Sequence, residues 1–163
     1  MELIIRDMRD TDWEAVATIY REGIETKIST FQAEVPTYEA WDKSHIKACR
    51  IVAEENGQVV GWVVLSAFSS RCVYSGVAEV SIYIKADSRG KGIGEKLFQE
   101  VIQASEKEGF WTLQSGIIEI NKASIALHKK AGFRMVGYRE KIAKGHNGEW
   151  QNTVLMERRS PLF

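Results

Sequence analysis

Apolar positions recur along this chain with two periods, and the changes of period divide it into elements. "LIIRDM" is a short apolar run near the start and predicts a strand. From Trp13 the spacing turns helical: Trp13, Val16, Ile19 and Tyr20 fall on one face, with Asp10 or Thr11 placed to cap the helix. A second helical stretch opens near Pro36, a residue suited to a first turn, and carries Tyr38, Trp41 and Ile46. "RIVAEENGQVVGWVVLSAF" is two apolar strands around Asn56-Gly57, a strong hairpin signal. "AEVSIYI" is a further strand, followed by a loop with three glycines and a helix over Glu95–Lys107. "WTLQSGII" predicts a strand, "NKASIALHKKAG" a short helix closed by Gly132, and "FRMVGYREKIA" with "EWQNTVLMER" a last hairpin around "GHNG". The order β-α-α-β-β-β-α-β-α-β-β predicts an α/β (α+β) domain: a mixed, mostly antiparallel central sheet with flanking helices.

Composition narrows the function classes. A chain of 163 residues with 44% apolar content suits one domain, taken as 1–163. Lys plus Arg and Asp plus Glu balance at 22 each, so there is no basic footprint for nucleic acid and no polybasic run for a membrane surface. No stretch has the length or apolarity of a signal peptide or a membrane span. Cys49 and Cys72 lack metal-ligand spacing and fit a reducing compartment. The expectation is a cytoplasmic protein with no metal, nucleic-acid or membrane partner.

The glycine loop carries the chemistry. Arg89-Gly90-Lys91-Gly92-Ile93-Gly94 lies between a strand and a helix. The first N–H groups of a helix have no partner within it, and glycine leaves them open to an anion, above all phosphate. No Gly-Lys-Ser/Thr triplet completes a P-loop, and G-x-G-x-G is not the dinucleotide fingerprint. The pattern Arg-x-x-Gly-x-Gly resembles the signature of the GNAT N-acetyltransferase superfamily, and the likeness covers nearly the whole chain. "IETKISTFQAE", "SRCVYSGVAEVSIYI", "LHKKAGF" and "NGEWQNTVLM" resemble more narrowly the phosphinothricin and methionine sulfoximine/sulfone acetyltransferase branch. The resemblance implies the acyl-CoA N-acyltransferase (GNAT) fold, acetyl-CoA as cosubstrate, direct attack on it by a small amine (an amino acid or analogue), and a homodimer. The alternatives are acetylation of a protein or peptide, and a non-catalytic acyl-CoA sensor.

Candidate site residues follow. Glu79 sits on an otherwise apolar strand among Val77, Ala78, Val80, Ile82 and Ile84, neighbours expected to make it dry and so a usable base; the resemblance gives a strand glutamate that role. Asn121, Ser124 and His128 share one helix face. By resemblance, Ile82, Tyr83 and Ile84 hold the pantetheine arm through their backbone, with one N–H at the thioester oxygen. The loop residues Arg89, Gly90, Lys91, Gly92, Ile93, Gly94 and Glu95 hold the pyrophosphate, and Asn121, Ser124 and Lys130 make further contacts to the cosubstrate. His128 stands where relatives protonate the leaving thiolate; acid, base and core roles stay open. Phe31, Arg71 and Tyr74 resemble a pocket for an amino-acid-like acceptor. One departure is plain: the branch carries Gly-x-Trp-x-Asp in the last hairpin, and here Asn152 stands in place of the aspartate.

Overall fold

A computed structural model describes residues 2–163. Seven strands run through one sheet in the order β1-β2-β3-β4-β5-β7-β6: β1 Leu3–Asp7, β2 Ile51–Glu55, β3 Gln58–Ala67, β4 Val77–Ile84, β5 Thr112–Ile118, β6 Arg134–Lys144 and β7 Trp150–Arg159. Every neighbouring pair is antiparallel except β4 and β5, which are parallel. Four helices flank the sheet: α1 Trp13–Glu25, α2 Tyr38–Ser44, α3 Ile93–Lys107 and α4 Lys122–Lys130. The expected element order is the observed one.

Strand alternation sends side chains to two separate cores. Ile51, Ala53, Val63, Leu65, Ala78 and Val80 face α3, whose Leu97, Phe98 and Val101 complete that core. Val52, Trp62 and Val64 face the other way, onto Val16 and Ile19 of α1 and Trp41 of α2. β3 is therefore buried on both faces, which is why it reads as an unbroken apolar run. The Trp62 Nε1–H donates to the Val16 carbonyl at 3.1 Å and ties α1 to the sheet.

Local details differ from expectation in three places. Neither Asp10 nor Thr11 caps α1. Residues 10–12 form a 3-10 turn, and Asp12 accepts the Arg9 N–H at 2.7 Å and pairs with Arg6 at 2.8 Å. The Arg6 guanidinium on β1 holds Asp12 and also Glu54, at 3.0 Å, so this ion-pair network fixes Asp12 at the start of α1. α2 is capped by Thr37, whose hydroxyl accepts the Ala40 N–H at 3.2 Å; it ends at Ser44, so Ile46 lies beyond it. α3 begins at Ile93, two residues before the expected start, because its N-cap is Gly92 in the left-handed conformation at φ 82. The Asn56-Gly57 turn is as expected, with φ of 53 and 77.

Candidate active site

The functional cleft begins where a strand pair comes apart. β4 and β5 pair only at Val77–Thr112, Ala78–Leu113 and Glu79–Gln114. Past that point β4 stays on β3 as far as Ile84, and β5 stays on β7 as far as Ile118. Residues 80–84 and 115–118 thus edge a wedge whose facing backbone groups need partners other than each other. The wedge opens into a cleft of about 810 Å³, lined also by the glycine loop, α4, the α1–α2 loop and part of β6.

At one end lies the bare N-terminus of α3, with no side-chain cap. The Lys96 N–H bonds the Gly92 carbonyl at 3.3 Å. The N–H groups of Ile93, Gly94 and Glu95 precede that bond and are open to an anion at the positive end of the helix dipole. Gly90 and Gly92 have φ of 76 and 82, and a Cβ at either would enter open space. Gly94 is small for another reason: a Cβ there would lie 2.7 Å from Leu127 Cδ2, so this glycine lets α4 pack on α3. The expected single purpose for all three glycines is thus split in two. Open N–H groups, a glycine cradle and Arg89 fit a pyrophosphate. All the residues expected for acetyl-CoA line this cleft except Lys91, which is exposed outside it. The Asn121 Oδ1 accepts the Ser124 N–H at 3.2 Å and so caps α4, and Lys130 pairs with Glu95 at 3.5 Å.

The two candidate catalytic side chains approach the wedge from opposite faces of the sheet. Glu79 lies on the α1–α2 face, opposite Gln114, whose Nε2–H donates to its carboxylate at 3.3 Å. The expected dry setting is wrong: Glu79 is exposed. Ala78, Val80, Ile82 and Ile84 point into the α3 core, so its neighbours in sequence are not its neighbours in space. Phe31 and Thr30 of the α1–α2 loop line the same cleft, and the Thr30 carbonyl accepts His146 Nε2–H from the β6–β7 turn at 3.2 Å.

Arg71 and Tyr74 are not among the lining residues. They sit on an exposed turn before β4, with the Arg71 guanidinium 5.7 Å from the Tyr74 ring centre. An arginine that does line the cleft, away from the glycine loop, is Arg139, which local sequence did not single out. Register pairs Arg139 with Thr153 and Thr153 with Ile118, so it shares the sheet face of Gln114 and Glu79. The β6 register shifts between Arg139 and Ala143, where Lys141 adopts φ 48 and gives its N–H to Asn152 Oδ1 at 2.8 Å. Asn152 Nδ2–H donates to Glu119 at 3.1 Å. A carboxamide can bridge an N–H and a carboxylate, whereas the branch aspartate would set two carboxylates together. Bulges of this kind re-aim side chains, and here Arg139, Ile142 and Ala143 line the cleft.

His128 comes from α4 on the α3 face and is 2% exposed. Its Nδ1 lies 2.7 Å from the Ser124 carbonyl, and its Nε2 lies 2.8 Å from Ser115 Oγ. The rings of Phe98 and Phe133 meet it edge-on. Burial pushes the imidazole below its ordinary value, with the Ser124 bond opposing; His45, packed on Trp41, is lowered for the same first reason. A folded-state value below the unfolded one means that the unfolded chain takes up the proton first. Stability from these two groups is complete above the unfolded value near 6.5 and falls as pH drops below it. The urea midpoint should be lower at pH 5.5 than at pH 7.5, and His128→Asn should shrink the difference; an unchanged difference would assign it elsewhere.

Among the described residues no group of three or more His, Cys, Asp or Glu is placed to hold a metal ion, and no helix is long and apolar enough to cross a membrane. Residues 13–133 match the model of the Acetyltransferase (GNAT) family. A GNAT superfamily phosphinothricin acetyltransferase from Sinorhizobium meliloti, solved in complex with acetyl-CoA, superposes with a TM-score of 0.89 at 32% identity over 98% of this chain and 89% of that one. A ribosomal-protein-alanine N-acetyltransferase from Brucella melitensis gives 0.89 at 28% identity, covering 96% and 99%. The L-methionine sulfoximine/L-methionine sulfone acetyltransferase of Pseudomonas paraeruginosa is 24% identical over 163 residues, 96% of this chain and 94% of its own.

Proposed function

We propose an α-amino acid or close analogue as the acceptor, on the premise that this chain belongs to the GNAT acetyltransferase family. It is an acetyl-CoA-dependent N-acetyltransferase acting on the amine of a small molecule. The observation that carries the narrower reading is an arginine lining the acceptor side of the cleft on the sheet face of Glu79. An amine set near Glu79 brings its own substituents against that face, and a guanidinium grips a carboxylate, phosphinate or similar group with paired bonds. The Thr30–His146 bond, which ties the α1–α2 loop at the cleft to the β6–β7 turn, supports a small acceptor over a peptide. The phosphinothricin, sulfoximine and sulfone substrates named for the relatives have this shape, an α-amino acid with a polar side chain.

The roles are assigned accordingly. Glu79 takes the first proton from the ammonium group, and being exposed it passes that proton to water. The freed backbone of Ile82, Tyr83 and Ile84 receives the pantetheine amides and the thioester oxygen. The loop from Arg89 to Glu95, with Asn121, Ser124 and Lys130, holds the rest of the cosubstrate. Phe31 walls the acceptor side, and Arg71 and Tyr74 stand on the turn that leads into the strand of Glu79. We also assign the chain a single domain, a cytoplasmic location and a homodimer. In support of the last, β6 is an edge strand with Met135, Val136, Tyr138 and Ile142 exposed, an edge that single chains usually blunt or cover. Sedimentation at micromolar concentration measures the state, and a monomer would refute the dimer.

The test of the acceptor class compares an amino acid with its decarboxylated amine, alongside peptides, sulfones, sulfoximines and phosphinothricin. Arg139→Ala and Arg71→Ala are assayed on the matched pair. Loss of a charge-assisted bond costs about 1.5–3 kcal/mol, or about 10- to 150-fold in kcat/KM. That loss is expected for the amino acid in at least one variant, with the amine nearly unaffected. Equal losses for both compounds, or a preference for peptides, would overturn the reading.

A further inference from the structure

The side chain that meets Nε2 of the buried histidine is a serine. Ser115 lies on β5 beyond the last β4–β5 pair, at the wedge, and it lines the cleft beside His128. It occupies the phase of Leu113 and Ile117, which both point into the α3 core, so a polar side chain there interrupts an apolar face. Ser115 is 3% exposed and its hydroxyl meets His128 Nε2 at 2.8 Å. Such a group at the phase of the core is expensive unless it is bonded, and this one is.

The tautomer follows from the partners. The Ser124 carbonyl can only accept, so His128 Nδ1 carries the hydrogen. In the neutral ring Nε2 is then a bare acceptor, and the Ser115 hydroxyl donates to it. A hydroxyl backed by an imidazole that a third group orients is the arrangement used to move protons to and from a reacting atom. Glu79 stands on the opposite face of the sheet, so the two devices serve different sides of the wedge.

We propose that Ser115 is the residue that hands a proton to the departing thiolate, and that His128 acts only through it, as the site where that proton is held. This rests on acetyl transfer occurring in this cleft. Glu79 has already removed the first proton from the ammonium group. As the amine nitrogen bonds to the thioester carbon, its surplus proton passes to Ser115 Oγ while the serine's own hydrogen passes to His128 Nε2. The resulting imidazolium donates one N–H to the Ser124 carbonyl and the other to Ser115. As the carbon–sulfur bond breaks, the sulfur keeps the electron pair and takes the hydrogen of Ser115, and Nε2 returns its hydrogen to Oγ. The amide nitrogen ends with one proton fewer, the thiol with one more, and the pair as it began. Direct protonation by His128 is disfavoured by the structure, because both of its nitrogens are already engaged and Ser115 stands at Nε2.

The contact is measurable without turnover. Calorimetry with free CoA and with desulfo-CoA reads whether Oγ touches the sulfur. The wild type should favour CoA by about 2- to 12-fold, the worth of one neutral hydrogen bond. Ser115→Ala should bring the ratio to one, and His128→Asn should keep it. Single-turnover acetyl transfer to any accepted amine should fall about 10²-fold or more in Ser115→Ala. Adding His128→Asn to that variant should cost less than a further threefold, since residues that act as a unit are non-additive. Thermal unfolding of each variant establishes that it is folded at the assay temperature. A Ser115→Ala protein that keeps the ratio, or keeps its rate within threefold, overturns the proposal. A full additional loss from His128→Asn in the Ser115→Ala background would make His128 the direct donor instead. Failure of CoA to bind at all would strike the reading of the cleft itself, and a wrong acceptor class would leave the calorimetric ratio untouched.

Discussion

Glu79→Gln transfers acetyl groups about 10²- to 10⁴-fold more slowly than the parent protein, the usual contribution of general acid–base catalysis, with its affinity for acetyl-CoA unchanged. The amide keeps the shape of the side chain and the room for the Gln114 contact, but it cannot take a proton. An ammonium acceptor is inert until it loses one. Glu79 stands at the crotch of the wedge, in the last β4–β5 pair, and lines the cleft from the α1–α2 face of the sheet. Its exposure gives it a short route to bulk water. Rates across pH 6–10 check the assignment. The variant should recover as pH rises and the acceptor loses its proton unaided. A variant as fast as the parent at neutral pH would leave the base role to water or to another group.

Gly92→Asn, the second expected result, weakens acetyl-CoA binding about 10- to 150-fold, the cost of one charge-assisted bond, while the protein stays folded. Gly92 has φ 82 and is the N-cap of α3. Valine there would be strained by the left-handed backbone whatever the space, and the loss would report on folding as well as binding. Asparagine tolerates that conformation. Its Cβ would meet no protein atom within 4 Å, so the side chain projects into the space where the phosphates approach the open N–H groups of α3. Calorimetry with acetyl-CoA measures the effect. Unchanged affinity in a folded Gly92→Asn protein would remove the phosphate cradle. Gly94→Ala is the contrasting control: it presses on Leu127, so it should lower stability through α3–α4 packing.

Much of the molecule is legible in local pattern because local pattern causes it. A period of two makes β4 a strand, Asn56-Gly57 with positive φ makes the β2–β3 turn, and the strand–glycine–helix order makes the anion site, wherever the rest of the chain goes. The α4 face of Asn121, Ser124 and His128 is likewise a consequence of helical spacing, and all three line the cleft. Corrections arise where spacing along the chain says nothing about neighbours in space. Glu79 was expected to be dry because the residues on either side are apolar, yet a strand sends adjacent side chains to opposite faces, and the face of Glu79 opens on the cleft. Arg139 sits in a charged run that looks like any solvated strand, and a bulge pinned by Asn152 and Lys141 lines the cleft with it. Ser115 did leave a trace, a polar residue in an apolar phase, but its partner His128 is 13 positions away and only the packing of α4 over the end of β5 joins them. By itself the sequence determined the elements, their order and the glycine loop before the uncapped start of α3, since these depend on bonds and periods a few residues long. On which side of the sheet Glu79 and His128 lie, which arginine lines the cleft, and that Ser115 stands at the histidine's Nε2 were decided by the tertiary structure, because each depends on where β4 and β5 part.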